Sequence, residues 1–168
     1  MGVALLAIFT IANAQDGKAT IYKISEAGVQ VNLQSGWKAE KDPNGTIVIS
    51  KKDGDGYVLF SMSVLKSDPS ITLDTLFAAF SEGVFENAKK DWKGFKTDQI
   101  LKDTLRGMAV RAQKFDGTVA DQGGELEGLV IIIDSPKPLG IFAQRTKKHS
   151  EALEKEGNDI LTSIAKIQ

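Results

Sequence analysis

Short runs of alternating apolar and polar residues fill the first third of the chain. Residues 19–24 and 28–33 alternate in this way, and residues 46–50 follow a Pro-Asn-Gly turn. In residues 57–65 the apolar side chains fall on one face and two serines on the other. A period of two is typical of strands that bury one face, so this part of the chain is predicted to be a set of strands joined by tight turns.

Two later segments repeat apolar residues every three or four positions, which is the spacing of an amphipathic helix. The first follows cap-forming residues at 68–72 and is predicted to stop at Gly94. The second starts near Ser150 and is predicted to continue to Ile167. The apolar positions are Leu73, Leu76, Phe77, Phe80, Val84 and Ala88 in the first helix and Leu153, Ile160, Leu161, Ile164 and Ile167 in the second.

Between the helices the sequence predicts five more strands, separated by short turns. They cover residues 97–105, 107–115, 118–122, 125–134 and 140–146. Turns this short join antiparallel neighbours, because a parallel pair needs a crossover of a dozen or more residues. The continuously apolar core of the fourth strand is typical of a strand buried on both faces. The predicted fold class is therefore α+β: an antiparallel β-sheet meander flanked by helices, an α/β/α sandwich.

The N-terminal segment has a different character. Residues 2–14 carry no charge and end in Ala-Asn-Ala before a polar stretch. An apolar run this short does not span a bilayer, which takes about 20 residues, but its small-x-small ending is typical of a cleaved signal peptide. We predict a signal peptide at 1–14 and a single periplasmic or extracellular domain at 15–168, with no stable membrane insertion after cleavage. The alternative is that residues 2–14 form a buried strand or helix of the fold.

The composition and charge of the chain exclude several kinds of partner and site. Of the 168 residues, 42% are hydrophobic, which is enough for one self-supporting core, and the formal net charge is −1. Nucleic-acid binding calls for a basic stripe, so no nucleic-acid partner is predicted. The chain has no cysteine, which excludes disulfides, thiol catalysis, thiolate metal sites and a lipidated N-terminal cysteine.

Candidate catalytic chemistry is sparse. The single histidine, His149, is expected to be exposed near the start of the second helix, and a histidine-rich zinc site is excluded. Asp121, Glu125 and Glu127 can approach one another across a Gly-Gly turn, and paired carboxylates can perform acid–base chemistry. Glu125 and Glu127 alternate with Leu126, however, which is the ordinary pattern of a solvated strand face. We predict no catalytic residue, no metal site and no cofactor, and keep the three carboxylates as candidate surface residues.

Large aromatic side chains are the other candidates for a partner or ligand surface. Trp37 follows a glycine turn, and Trp92 and Phe95 lie near the end of the first helix. An exposed aromatic patch is typical of an interaction surface, whereas core packing is the ordinary role of such residues. Both roles stay open on the sequence.

The order of elements resembles that of a known family. An early strand is followed by Gly36-Trp37, and the last helix closes with Ile-Leu-Thr-Ser-Ile at 160–164. Over residues 20–167 this pattern resembles the PsbP-like superfamily, which includes the extrinsic photosystem II subunit PsbP and DcrB-like exported bacterial domains. The resemblance implies a sheet sandwiched by helices and a binding or assembly role, and it brings no catalytic residues.

Three functions remain open on the sequence. The leading hypothesis is an exported, non-catalytic binding or assembly module with an unknown protein partner in the cell envelope. The second is a small-ligand or metal-binding carrier with a pocket between sheet and helix. The third is a carboxylate-dependent hydrolase that uses Asp121, Glu125 and Glu127. Fold resemblance alone does not choose among them.

Overall fold

The computed structural model describes residues 19–119 and 124–168. The predicted signal peptide at 1–14 and the candidate Asp121 lie outside these ranges. The described elements are β1 (Thr20–Ile24), β2 (Val29–Leu33), β3 (Lys38–Lys41), β4 (Ile47–Asp53), β5 (Gly56–Val64), α1 (Leu73–Asp91), β6 (Trp92–Thr97), β7 (Leu101–Leu105), β8 (Met108–Val119), β9 (Gly124–Ile133), β10 (Leu139–Thr146), α2 (Glu151–Ser163) and β11 (Ala165–Lys166).

These strands form two antiparallel sheets. The large sheet has the order β3-β4-β5-β10-β9-β8-β6, and β7 pairs with the other half of β8. The small sheet has the order β1-β2-β11. The predicted α+β class is confirmed. The sequence did not predict that the first two strands leave the main sheet, because their partner β11 is the far end of the chain.

Each helix begins at a hydroxyl cap. Thr72 Oγ1 accepts a hydrogen bond from Thr75 N at 3.2 Å before α1, and Ser150 Oγ accepts one from Leu153 N at 3.1 Å before α2. The Ser150 hydroxyl also donates to Asp53 Oδ2 at 2.8 Å. The turn between β4 and β5 therefore fixes the start of α2.

The large sheet is covered on both faces. α1 packs on one face over an aromatic core, and α2 packs with the small sheet on the opposite face over a larger aliphatic core. β9 contributes to both cores: Val130 and Ile132 belong to the first, and Ile131 and Ile133 to the second. The apolar run in this strand is thus buried from both sides, as predicted.

The first helix ends earlier than predicted. α1 stops at Asp91, and Trp92 begins β6 with its backbone N–H bonded to Ala88 O. Gly94 lies inside β6 at φ +65°, where the register against β8 shifts. It therefore marks a β-bulge rather than a helix stop. Residues 97–105, predicted as one strand, belong to two strands. Thr97 ends β6, Leu101–Leu105 form β7, and the two strands pair with different halves of β8.

A second correction concerns β8, which runs unbroken where the sequence predicted two strands and a turn at Asp116-Gly117. Gly117 lies at a close approach: a Cβ there would lie 3.1 Å from Trp92 Cε3 and 3.2 Å from Lys93 O, so a larger residue would require these neighbours to shift. Glycine in a strand can mark such a close approach as well as a turn.

The last helix is shorter than predicted. α2 ends at Ser163, and β11 then pairs with β2. The N–H of Ile167 donates to Gly28 O at 3.0 Å. Ile164, which suggested a continuing helix, is buried at the C-cap.

Within the two described ranges, no helix combines the length and apolar character needed to cross a membrane.

Candidate functional site

A concave surface lies between α2 and the strands β8, β9 and β10, and we call it the α2 groove. α2 packs against β2 and β5, so it leaves part of the neighbouring sheet face uncovered. The open end of the groove holds about 640 Å³ and is lined on the helix by Glu154, Gly157, Asn158 and Leu161. An adjoining cavity of about 180 Å³ continues along the same face, and Leu161 lines both.

The adjoining cavity is the apolar end of the groove. Its walls are mainly aliphatic side chains of β7 to β10 and of the end of α2, which are Leu105, Val110, Ala112, Ile131, Ile133, Ile141, Leu161 and Ile164. Asp103, Thr104 and Thr162 complete the lining. The aliphatic residues share one face because directly opposed positions on paired strands do: Val110 faces Ile133, and Ala112 faces Ile131. Leu101 of β7 faces Ala112 and is 44% exposed. We call the face of β7 to β10 that lines the groove its floor. Through Leu101 this floor continues to the sheet edge as a partly exposed apolar surface.

A side chain beside this cavity links the sheet edge to α2. Arg106 lies in the turn between β7 and β8 at φ +49° and is followed by Gly107 at φ +78°. Its Nε donates to Thr162 O in the last turn of α2 at 3.1 Å. This bond ties the edge hairpin to the helix and satisfies a C-terminal helix carbonyl.

Charged side chains surround the open end. Arg145 Nε donates to Glu127 Oε1 at 2.6 Å, and its Nη1 lies 2.9 Å from Glu154 Oε1. Glu154 Oε2 lies 3.3 Å from His149 Nε2, and His149 Nδ1 lies 2.6 Å from Thr146 O. The hydrogen bond from His149, together with Arg145, holds the pKa of the Glu154 carboxyl below its usual range. These contacts connect α2 to β9 and β10.

Lys147 forms the second part of this network. Its Nζ lies 3.4 Å from Asp116 Oδ2 and 3.5 Å from Glu125 Oε2. The hydrogen bond to Asp116, reinforced by the charge of Glu125, raises the pKa of Lys147. All three side chains are substantially exposed, so these pairs contribute little to stability.

Two further lysines line the same end of the groove. Lys96 of β6 and Lys114 of β8 are both exposed, and neither forms an ion pair with an acidic residue of the described ranges. Lys96 faces Asp116 across the strands, and Lys114 is two positions from Asp116, so the three side chains leave the same face. Asp98 also lines this end and is likewise without an ion pair to a described residue.

The predicted candidate Trp37 is a core residue. It is only 2% exposed, and its ring stacks on Phe60 at a centroid distance of 5.8 Å. Its Nε1 donates to Glu156 Oε2 at 2.9 Å, and Lys51 Nζ reaches the same oxygen at 2.6 Å. Partial burial raises the pKa of Glu156, but the hydrogen bonds from Lys51 and Trp37 outweigh it, so that the pKa lies below its usual range. Trp37 therefore lies in the core and presents almost no accessible surface.

Trp92 and Phe95 belong to the aromatic core beneath α1. Both are half-buried and pack on Phe115, with ring centroids 5.2 and 5.8 Å from its ring. Phe85 of α1 lies 5.4 Å from Phe95. Their position on the α1 face separates them from the α2 groove, and core packing explains their contacts.

The predicted carboxylate group is only partly described. Asp121 lies outside the described ranges. Glu125 and Glu127 project from the same face of β9, as their alternation predicted, and each faces a cation: Lys147 for Glu125 and Arg145 for Glu127. This pairing is typical of a solvated strand face.

Of the predicted site residues, Glu127 lines the α2 groove, whereas the groove itself and its residues Lys96, Lys114 and Leu161 were not predicted as a site. The alternation of side chains along β8 shows that Val110, Ala112 and Lys114 share one face of the sheet. It does not show which part of that face α2 leaves uncovered. Among residues 19–119 and 124–168, no three His, Cys, Asp or Glu side chains converge as a metal site would require.

Structural comparison places this arrangement among known folds. The solution structure of cyanobacterial PsbP (CyanoP) from Synechocystis sp. PCC 6803 superposes with a TM-score of 0.64 over 93% of this chain and 98% of that one, at 13% identity. The chain has a PsbP-like fold. A crystal structure from Bacteroides thetaiotaomicron gives a TM-score of 0.55 at 17% identity; the match covers 92% of this chain and half of that one.

The PsbP-like fold confirms the resemblance drawn from the order of elements. At these identities the likeness concerns the fold alone. No protein-family model matches the chain, and no curated protein matches it.

Proposed function

We propose that the protein is a non-catalytic binding module of PsbP-like fold that acts through the α2 groove. The observation that supports this most directly is the uncovered apolar floor beside α2. Val110, Ala112, Leu129 and Leu161 pack against the core yet remain partly exposed. A concave apolar surface with a few polar groups at its rim is the usual form of a binding site.

The surrounding charges support binding over catalysis. Arg145 is held between Glu127 and Glu154, and Lys147 between Asp116 and Glu125. A general acid or base needs a carboxyl group that is available for proton transfer, whereas these carboxylates are engaged as acceptors. The groove is therefore suited to holding a ligand or partner rather than to transforming it.

Site-specific photo-crosslinking in cells tests this proposal. A photoreactive phenylalanine analogue replaces Leu101 or Asn158 at the groove, and Glu82 or Glu86 on the solvent face of α1 in the control proteins. We expect a defined adduct, either a protein or a small molecule, from the groove positions only. Equal labelling from both faces, or no adduct from the groove positions, would contradict the proposed function.

We also propose that the protein is exported to the periplasm or beyond the cell. The uncharged apolar segment at 2–14, with its Ala-Asn-Ala ending, supports this proposal. Mass spectrometry of the protein recovered from its native cells provides the test. We expect the mature chain to start at Gln15 and to occur outside the cytoplasm, and recovery of intact residues 1–14 in the cytoplasmic fraction would overturn it.

A further inference from the structure

The two ends of the α2 groove differ in chemistry. At one end the adjoining cavity, of about 180 Å³, has mainly aliphatic walls with Asp103, Thr104 and Thr162 among its lining residues. At the other end Lys96 and Lys114 extend from the sheet without an acidic partner in the described ranges. Ala112, the smallest floor residue of β8, lies directly between the two regions, and Leu129 and Ala143 continue the apolar floor beside it. A ligand that matches this surface has an apolar body and a polar end.

The unpaired charges favour an anionic polar end. The other cations of the groove already have partners: Arg145 is paired with Glu127 and Glu154. Lys96 and Lys114 are on adjacent strands at diagonal positions of one face, where long side chains reach a common point. Asp116 lies directly opposite Lys96, but it is paired with Lys147, and Glu127 and Glu154 are paired with Arg145. Of the described carboxylates that line this end, Asp98 alone has no ion pair and stands against the two ammonium groups. A carboxylate or phosphate of a ligand can therefore accept hydrogen bonds from both lysines.

The length of the floor sets the size of the apolar part. Lys114 and Val110 are four residues apart on β8, which corresponds to about 13 Å along a strand. An extended covalent chain advances about 1.1–1.2 Å per bond, since three backbone bonds span about 3.3–3.6 Å. A chain of about ten carbons therefore reaches from the lysines into the cavity beneath Leu105 and Ile164.

We propose that the α2 groove binds a monomeric single-chain amphiphile with an anionic head group. The head group contacts Lys96 and Lys114, and the alkyl chain lies over Ala112 and Leu129 towards Ile131. This inference rests on the proposed function of the groove, and it adds the chemical class of the ligand.

Titration of the purified protein with decanoate, below its micelle concentration, is the first test. In ¹H–¹⁵N spectra we expect saturable shifts confined to the groove, at Ala112, Lys114, Leu129 and Leu161. Acetate, which has the head group without the chain, is expected to cause none of them. Decyltrimethylammonium, which has the chain with the opposite charge, is expected to bind at least tenfold more weakly.

Charge-reversal variants separate specific binding from general attraction. The double variant K96E/K114E is expected to bind decanoate about tenfold more weakly, because each exposed contact is modest but both turn repulsive. K52E/K90E is the matched control, since it reverses two exposed lysines outside the groove that form no ion pair with described residues. Both pairs change the net charge equally, so only the position differs.

A filling variant tests the apolar floor. Ala112→Phe extends into the groove and is expected to reduce decanoate affinity at least tenfold, with circular dichroism as the check that the sheet is intact. If this variant does not fold, Asn158→Trp on the helix wall replaces it, because Asn158 is at the surface of α2.

The outcomes are distinct. Equal affinity for decanoate and decyltrimethylammonium, shifts spread over the α1 face, or no saturable shift would each overturn the amphiphile proposal. Binding to phosphatidylglycerol vesicles without binding of monomeric decanoate would overturn it too, because a bilayer surface would then be the ligand. A protein adduct at Leu101 in the crosslinking experiment, combined with no decanoate binding, would reject this inference while leaving the proposed function intact.

Discussion

At the scale of single residues, the tightest steric constraint is at Gly128 in β9. A Cβ at this position would lie 2.3 Å from Phe115 Cζ and 2.4 Å from Ala143 O. Both neighbours are fixed, since Phe115 is packed among other rings and Ala143 O belongs to the adjacent strand. The absence of a side chain at Gly128 therefore leaves room for the ring of Phe115, which lies opposite it on β8.

Two glycine substitutions with opposite effects follow from this geometry. Gly128→Ala is expected to lower the free energy of unfolding by about 3 kcal/mol, because rigid groups must move to admit a methyl. Gly83→Ala, on the exposed side of α1 with nothing within 4 Å, is expected to raise it by up to about 1 kcal/mol through helix propensity. Urea unfolding of both variants measures the difference. Similar midpoints for the two would contradict the packing described for Gly128.

At the scale of elements, the edge hairpin of β7 and β8 is attached to the rest of the protein on both sides. On the α2 side, Arg106 reaches Thr162 O. On the α1 side, Asp74 accepts hydrogen bonds from Lys102 and Arg111. β8 is anchored by its ladder with β9, whereas β7 is exposed over most of its length. Beyond its own pairing with β8, β7 is therefore held mainly by these side-chain contacts.

The Arg106 contact can be removed without changing the turn. Arg106→Asn keeps a residue that accepts positive φ, but it loses the bond to Thr162 O, and we expect a loss of about 1 kcal/mol. Hydrogen exchange should become faster in β7 and in the last turn of α2. Lys102→Met is the control, because it loses the contact on the opposite side and should leave exchange at Thr162 unchanged. Unaltered exchange in Arg106→Asn would show that the hairpin is held by other contacts.

At the scale of the whole molecule, carboxylates paired with cations are distributed over the surface. The hydrogen bond from Lys41 lowers the pKa of Glu26, Arg111 and Lys102 lower that of Asp74, and Lys155 lowers that of Asp159. The pKa values of Glu154 and Glu156 are lowered as well. At acid pH the unfolded chain therefore binds more protons than the folded one, and stability rises with pH in that range.

The expected result is a loss of stability at acid pH. The stabilisation that these groups provide is fully present above the carboxyl pKa values of the unfolded chain, which are about 4. It is lost as the pH falls through the lower pKa values that the same groups have in the folded state. Urea unfolding between pH 7 and pH 3 measures this. Glu156→Gln should make the free energy of unfolding depend less on pH between pH 5 and pH 3. A glutamine amide does not take up a proton there, so its contacts with Lys51 and Trp37 do not weaken as the pH falls. Glu86→Gln, an exposed site on α1, should not. A curve for Glu156→Gln that parallels the wild type below pH 4 would contradict the role of Glu156.

The sequence determined the class of the fold and much of its secondary structure. Alternation with a period of two, apolar spacing of three and four, and short turns specify antiparallel strands and two amphipathic helices through local geometry alone. The continuously apolar run in β9 required cover on both faces. The α1 core supplies it on one face, and the core shared by the small sheet and α2 supplies it on the other. The lack of cysteine and the single histidine exclude thiolate and histidine-rich sites by composition alone.

The tertiary structure decided where the elements meet. Trp92 starts a strand and Gly117 lies mid-strand because the two pack on each other, a contact between residues 25 positions apart that no local pattern contains. Trp37 became a core residue through its bond to Glu156 on the last helix. The groove exists because α2 packs over β2 and β5 and leaves β8 and β9 partly uncovered. Local sequence fixes which side chains share a face, but only packing between distant elements decides which faces stay open to a ligand.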